Sequence, residues 1–175
     1  MKRKSLEKII GPPEERVPLI GARIRRARIA AVVLDGEVVG HLSYRMDGRG
    51  AVWPDWPRYR ARFGLIGGAA RYVATELTLR RGRRQDLYIE SFAVDRAARG
   101  RGIGGALLTW LCEEVALHGK LAWRTELPEA NLPAKRVYEK LGARHVRSVA
   151  FGPVARLLHT PRVLLYRWVH PGKEN

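Results

Sequence analysis

Along the chain, short runs of β-branched residues alternate with stretches whose apolar residues recur every three or four positions. Ile29–Leu34 and Glu37–Tyr44 are rich in Val and Ile, and Asp35-Gly36 between them suits a two-residue type I′ turn, so the pair predicts a hairpin. Trp53-Pro54-Asp55-Trp56-Pro57 predicts a loop, because each proline removes a backbone donor and restrains its predecessor. Ile66, Ala69, Ala70, Val73 and Leu77 then fall on one apolar helical face, with Gly67 and Gly68 weakening the first turn. Leu87–Val94 is the clearest strand, apolar on both faces as a central strand covered on two sides is. Ile103, Leu107, Trp110, Leu111 and Val115 share the face of a second helix, which Gly119 is placed to end. Leu121–Glu126 reads as a strand and Pro133–Leu141 as a short helix, with Asn131 or Leu132 near its N-cap and Gly142 at its end. Arg144–Phe151 and Arg162–Val169 are two last strands, joined by a loop containing Gly152-Pro153. Ahead of the hairpin, a short helix at Ser5–Ile10 is broken by Gly11-Pro12-Pro13. From residue 29 the order is strand, strand, helix, strand, helix, strand, helix, strand, strand, which predicts a mixed α/β sheet layered with helices.

Composition narrows the class. With 175 residues, 46% apolar and 29% charged, the chain is long enough for one globular domain over residues 1–175, and a wholly disordered chain is excluded. Its net charge is +16, carried by 26 arginines against 7 lysines. That surplus points to an anionic partner, whether nucleic acid, acidic protein, membrane surface or a phosphate-bearing cofactor; the other reading is a solvated basic surface. The longest clean apolar run, Ile29–Leu34, is too short to span a bilayer. Glu7 and Lys8 put charge directly after the basic start, where a leader would be apolar, so a cytoplasmic location without membrane attachment is expected. Cys112 is the sole cysteine and sits at core spacing, which excludes an intrachain disulfide and reads as inert packing. The five histidines are too scattered for ligand pairs at helical spacing, so no metal is expected.

The chemistry concentrates in Arg99-Gly100-Arg101-Gly102-Ile103-Gly104-Gly105, between a strand and a helix. A helix N-terminus offers unpaired N–H groups, glycines let a phosphate approach the backbone, and Arg96, Arg99 and Arg101 add charge, so a pyrophosphate is the natural guest. The dinucleotide-binding pattern is formally met by Gly100-x-Gly102-x-x-Gly105, with Glu126 at a suitable distance for a ribose contact. However, its first glycine should follow the strand at once, and five residues separate Val94 from Gly100. A P-loop fails for want of Gly-Lys-Ser/Thr. The third reading fits best. Arg99-x-x-Gly102-x-Gly104 resembles the coenzyme A signature of the GNAT superfamily of N-acetyltransferases, and Asn131-x-x-Ala134-x-x-x-Tyr138-x-x-x-Gly142 has that family's second spacing, one helix and one strand later.

The resemblance covers about residues 29–170 and implies a central mixed, mostly antiparallel sheet flanked by helices. It implies acetyl-CoA as cosubstrate, and an acetyl group passed by direct attack on the thioester to a primary amine of an unidentified acceptor. Backbone groups around Phe92, Ala93 and Val94 would pair with the pantetheine arm, and N–H groups of Arg99, Gly100, Arg101, Gly102, Ile103 and Gly104 would hold the pyrophosphate. Asn131 would bond the pantetheine or an ordered water, or serve as an ordinary N-cap. Tyr138 would protonate the departing thiolate, its other reading being a core aromatic. Strand alternation sets Glu90 on one face with Tyr88, Phe92 and Val94; a carboxylate among apolar neighbours is a candidate base, and the equal alternative is a structural partner for an arginine. Glu126 is the reserve base. Two departures stand out. The N-terminal part is too short for the family's usual strand and two helices, and the long helical insertion of residues 45–86 is expected to replace the missing acceptor wall, with Trp53 and Trp56 either a lid or simple loop packing. Ala143 stands where an aromatic residue often follows the motif glycine. The arginine groups at 23–28, 58–62, 80–84 and 96–101 keep a second class of function open, a nucleic-acid- or ribosome-associated binding module on the same fold.

Overall fold

Asp35 and Gly36 adopt φ of 52° and 82°, the left-handed pair that a type I′ turn requires, so β1 (Ile29–Leu34) folds back antiparallel on β2 (Glu37–Arg45). The structure is a computed structural model that describes residue 19 and residues 24–79, 85–150 and 162–173. The predicted helix Ser5–Ile10, its Gly-Pro-Pro break, the arginine cluster at 80–84 and the Gly152-Pro153 loop lie outside the described residues. The remaining elements are α1 (Trp56–Leu79), β3 (Asp86–Val94), α2 (Ile103–Leu117), β4 (Ala122–Pro128), α3 (Leu132–Lys140), β5 (Arg144–Ala150) and β6 (Arg162–Val169).

The six strands form one sheet in the order β1-β2-β3-β4-β6-β5. Every neighbouring pair is antiparallel except β3 and β4, and the three helices flank the sheet, which is the predicted mixed and mostly antiparallel architecture. The helix α2 lies across β1, β2, β3 and β4, burying Ile103, Leu107, Leu108, Leu111 and Val115. Each such side chain contributes roughly 1.5–3 kcal/mol. Its first turn comes close to β2 because Gly40 has no Cβ; one there would stand 2.8 Å from Ile103 Cγ2. At its last turn the Tyr44 hydroxyl donates to Glu114, with His118 Nε2 3.2 Å from the phenolic oxygen.

The insertion departs from its predicted form. Helix α1 begins at Trp56, inside the predicted loop, since a proline in a first helical turn costs no hydrogen bond. Gly64, with φ 71° and ψ −177°, interrupts it. The two halves then fold together: the Tyr59 hydroxyl donates to Thr75 Oγ1 at 3.1 Å, and a Cβ on Gly68 would lie 2.9 Å from the Tyr59 carbonyl. Tyr59 meets Phe63 and Tyr72 in a small cluster with Leu19 and Trp56. Gly67 and Gly68 therefore belong to a close helix–helix approach. The described part of the stripe predicted to be apolar faces solvent: Ile66 is 86% exposed and Val73 53%, and Ala69 and Ala70 are exposed with them.

Candidate active site

The parallel ladder between β3 and β4 has three residue pairs, Asp86↔Ala122, Leu87↔Trp123 and Tyr88↔Arg124. Beyond Tyr88 the strands part. β4 continues to Pro128 paired with β6, and β3 continues to Val94 paired with β2. Among the described residues no strand pairs with the β4-facing edge of β3 from Ile89 to Val94. That edge carries the three residues predicted to meet an extended ligand, Phe92, Ala93 and Val94. A backbone edge with unpaired N–H and C=O groups is a template for one more extended chain.

A bulge sets the direction of that edge. Ser43 pairs with Ser91 and Tyr44 with Ile89, so Glu90 is an extra residue without a partner on β2. The alternation flips there. Leu87 and Ile89 face the core below the bulge, and Phe92 and Val94 pack against the same core above it. Simple alternation groups Tyr88 and Glu90 with Phe92 and Val94; the bulge separates them. Nor does Glu90 lie among apolar side chains alone. Arg45 Nε donates to its Oε1 at 3.0 Å, Arg45 Nη2 reaches the same oxygen, and the Ala51 N–H donates to its Oε2 at 2.8 Å. Arg45 is 2% exposed.

At the far end of β3, Asp95 Oδ1 accepts from the Ala97 N–H at 3.1 Å and holds a single turn, Arg96–Ala98. Arg99 Nε donates to the Val94 carbonyl at 3.2 Å, tying the loop to the strand. Gly100 and Gly102 take φ of 80° and 79°. Gly102 is the N-cap of α2, which has no side-chain cap and no acidic residue in its first turn. The opening N–H groups of a 15-residue helix are thus left for an outside anion, with Arg96, Arg99 and Arg101 exposed around them. Gly104 faces the β3 edge, where a Cβ would stand 3.4 Å from Phe92 Cζ.

Tyr138 lies over the parting strands. Its ring is 5.8 Å from Phe92 on β3 and 5.7 Å from Trp123 on β4, centroid to centroid, and the residue is 3% exposed. Burial pushes its hydroxyl up to about 12, while a hydrogen bond with Thr125 pulls the other way, so the phenol keeps its proton at neutral pH. Thr125 shares a face of β4 with the core residues Trp123 and Leu127; Glu126, half-buried, points to the opposite face. Asn131 is the N-cap of α3, its Oδ1 accepting from the Ala134 N–H at 3.3 Å.

The structure therefore gathers Phe92, Ala93, Val94, the 99–104 loop and Tyr138 around one opening, with Asn131 and Glu126 on the flanking β4–α3 segment. Sequence reasoning misses Arg45 and Gly50. Only the turn between them is signalled: Asp47-Gly48 repeats the Asp35-Gly36 pattern, and it turns likewise, with φ of 51° and 75°. Trp53 and Trp56 are engaged in packing, Trp53 under the Arg25 guanidinium and Trp56 edge-on to Tyr72. Cys112 accepts from Trp123 Nε1 at 3.3 Å, and burial pushes its thiol up, as inert packing requires. Among the described residues no group of three His, Cys, Asp or Glu could hold a metal, and no helix is long and apolar enough to cross a membrane.

Residues 10–143 match the family model described as Acetyltransferase (GNAT) family. Among solved structures the chain is similar to the ribosomal-protein-S18-alanine N-acetyltransferase from Escherichia coli, at 14% identity and a TM-score of 0.52, over 86% of this chain and 71% of that one. It is similar to an acetyltransferase from Bacillus anthracis str. Ames in complex with acetyl coenzyme A, at 17% identity and a TM-score of 0.53, over 81% of this chain and 61% of that one. A third likeness is to an acetyltransferase of the GNAT family from Streptococcus pneumoniae, at 15% identity and a TM-score of 0.54, over 81% and 65%. These are likenesses of fold, and the chain spans less than two thirds of the length of the last two. No curated protein matches the sequence.

Proposed function

The chain belongs to the GNAT acetyltransferase family, an enzyme family whose cosubstrate is acetyl-CoA, and from that premise we propose that it carries an acetyl group from acetyl-CoA to a primary amine by direct attack on the thioester. The observation that carries this reading is the parting of β3 and β4 beside a helix whose opening N–H groups have no cap. The pantetheine arm lies along Phe92, Ala93 and Val94 as an added strand, and the pyrophosphate rests on the N–H groups of Arg99 through Gly104. Asn131 keeps its oxygen on the α3 cap and turns its amide donors to the pantetheine or an ordered water.

In the reaction the amine nitrogen bonds to the carbonyl carbon, the carbon–sulfur bond breaks, and the thiolate takes a proton from the Tyr138 hydroxyl. The proton lost by the amine goes to Glu126 or to water. Tyr138 and Thr125 lie on one side of β4 and Glu126 on the other, which suits a cofactor approaching from the α2 side and an acceptor from the opposite side. We assign the 45–52 loop and the doubled-back α1 to the acceptor side, as the wall expected of the insertion. An acceptor on an acidic or nucleic-acid-bound partner would use the arginine surface, and we keep the cytoplasm as the compartment.

Release of coenzyme A thiol across a panel of primary amines tests this. Tyr138→Phe lowers kcat by about 100-fold and leaves acetyl-CoA affinity within about threefold. Unchanged kcat in a folded variant removes Tyr138 from the chemistry.

A further inference from the structure

We propose that Arg45 and Glu90 form a latch that sets the β3 bulge, and through it the backbone edge that takes the pantetheine arm, which makes Glu90 a positioning residue and not the base; this rests on the acetyl-CoA reading above. Both Glu90 oxygens already accept hydrogen bonds, one from the Arg45 guanidinium and the other from the Ala51 N–H. Three of the carboxylate's four lone-pair positions are thus taken, two on Oε1 and one on Oε2, so its geometry is set by Arg45 and Ala51 and only the last position on Oε2 remains.

The latch reaches further than one pair. Arg45 Nη1 donates to the Gly48 carbonyl at 3.1 Å, so one guanidinium spans the bulge and the Asp47-Gly48 turn. Gly50 is sealed against the carboxylate, and a Cβ there would lie 2.7 Å from Glu90 Cδ. The loop is tied on its other side by the Arg25 N–H to the Ala51 carbonyl at 2.8 Å, by the Ile24↔Val52 bridge, and by Arg28 on the Met46 and Arg49 carbonyls. Residues 24–28, the 46–52 loop and the bulge are therefore joined by one continuous set of hydrogen bonds. An extra residue in one strand bends it and raises its twist, and a bulge has several alternative positions along a regular ladder. A buried ion pair is a poor source of net stability but holds one arrangement against others, since a shifted register leaves two buried charges unpaired. Losing the bulge, with Glu90 drawn into the ladder opposite Ser43, would shift Phe92 and Val94 by one residue and turn them away from the core and Tyr138.

Calorimetric titration with two probes separates the roles: acetyl-CoA, and its nucleotide half, 3′-phospho-ADP, which lacks the pantetheine arm. The latch predicts that Glu90→Gln and Gly50→Ala each weaken acetyl-CoA at least tenfold while 3′-phospho-ADP stays within threefold of wild type. Glu90→Gln keeps the shape and one acceptor oxygen; Gly50→Ala keeps every charge and crowds the carboxylate, so the two fail to fold for different reasons if they fail at all. The double variant Arg45→Met/Glu90→Met removes both charges together, folds without a lone buried charge, and shows the same split. Acetyl-CoA affinity within twofold of wild type in Glu90→Gln, with turnover lost, overturns the latch and makes Glu90 the base. Equal loss of both probes overturns it too, leaving the pair as general support for the fold. Binding of neither probe by the wild-type protein sinks the acetyl-CoA reading and the latch with it.

Discussion

Tyr138 shows how one residue's surroundings fix its chemical use. Phe92, Trp123 and Tyr166 enclose its ring, and burial raises its hydroxyl to about 12 from an ordinary 10. The folded state therefore favours the protonated phenol. Its contribution to stability is complete below about pH 10 and disappears as pH climbs from 10 to about 12. Tyr166, raised to about 12 as well, titrates in the same window. Denaturant melts between pH 8 and 11.5 are expected to fall more steeply for wild type than for Tyr138→Phe, the remaining slope belonging to Tyr44, Tyr59, Tyr166 and Cys112, whose protons burial also holds. Gly102 makes a second residue-scale test. A Cβ there meets nothing, so space is not the constraint; φ of 79° is. Gly102→Ala costs about 1–2 kcal/mol of backbone strain. A lower Tm and weaker acetyl-CoA binding together are the expected result. Tyr138, Asn131 and the glycine loop are legible in the sequence because motif spacing names residues directly. Arg45 is not, since nothing in one strand's sequence announces which carboxylate it will meet across the sheet.

At the scale of elements, period and turn chemistry carry far. The β1–β2 hairpin, β6 and the start of α2 fall where Asp35-Gly36, β-branched runs and Gly102 put them. Two elements depart from the pattern for physical reasons. The bulge at Glu90 reverses the faces of β3 midway, and no sequence periodicity reports a bulge that long-range partners hold in place. In α1 the stripe Ile66, Ala69, Ala70 and Val73 does form a face, but not the buried one. Gly64 turns the helix back, and the side carrying Gly68 and Thr75 meets Tyr59 instead. Ile66→Lys and Val73→Lys accordingly change the unfolding free energy in urea by no more than about 0.5 kcal/mol, whereas Leu111→Ala on α2 costs about 2–5 kcal/mol. The parallel joint offers a sharper case. Asp86, buried, pairs with Arg124 on β4 and with Arg167 on β6, the latter at 3.4 Å, where the two halves of the sheet meet. Asp86→Asn leaves two largely buried guanidinium groups facing each other and is expected to destabilise the protein by about 3 kcal/mol, measured by chemical denaturation.

For the whole molecule, two features combine: a sheet opened at one joint, and a charge of +16 carried mainly by arginine. The first is legible because two motifs lie one helix and one strand apart. The second is legible as a number only, since charge reports on partners and solubility and not on fold. If the basic surface serves acceptor recognition, a poly-U RNA binds with an affinity that falls steeply between about 50 and 200 mM salt, as counterion release requires, and Tyr138→Phe leaves that binding unchanged. The central claim is that the gap between β3 and β4, with the glycine loop at its end, is an acetyl-CoA site. Titrating the wild-type protein with acetyl-CoA by calorimetry at physiological salt, with NADH as control, tests it most directly. One-to-one saturable binding of acetyl-CoA without binding of NADH is the predicted result; no heat with acetyl-CoA, or equal binding of NADH, contradicts it.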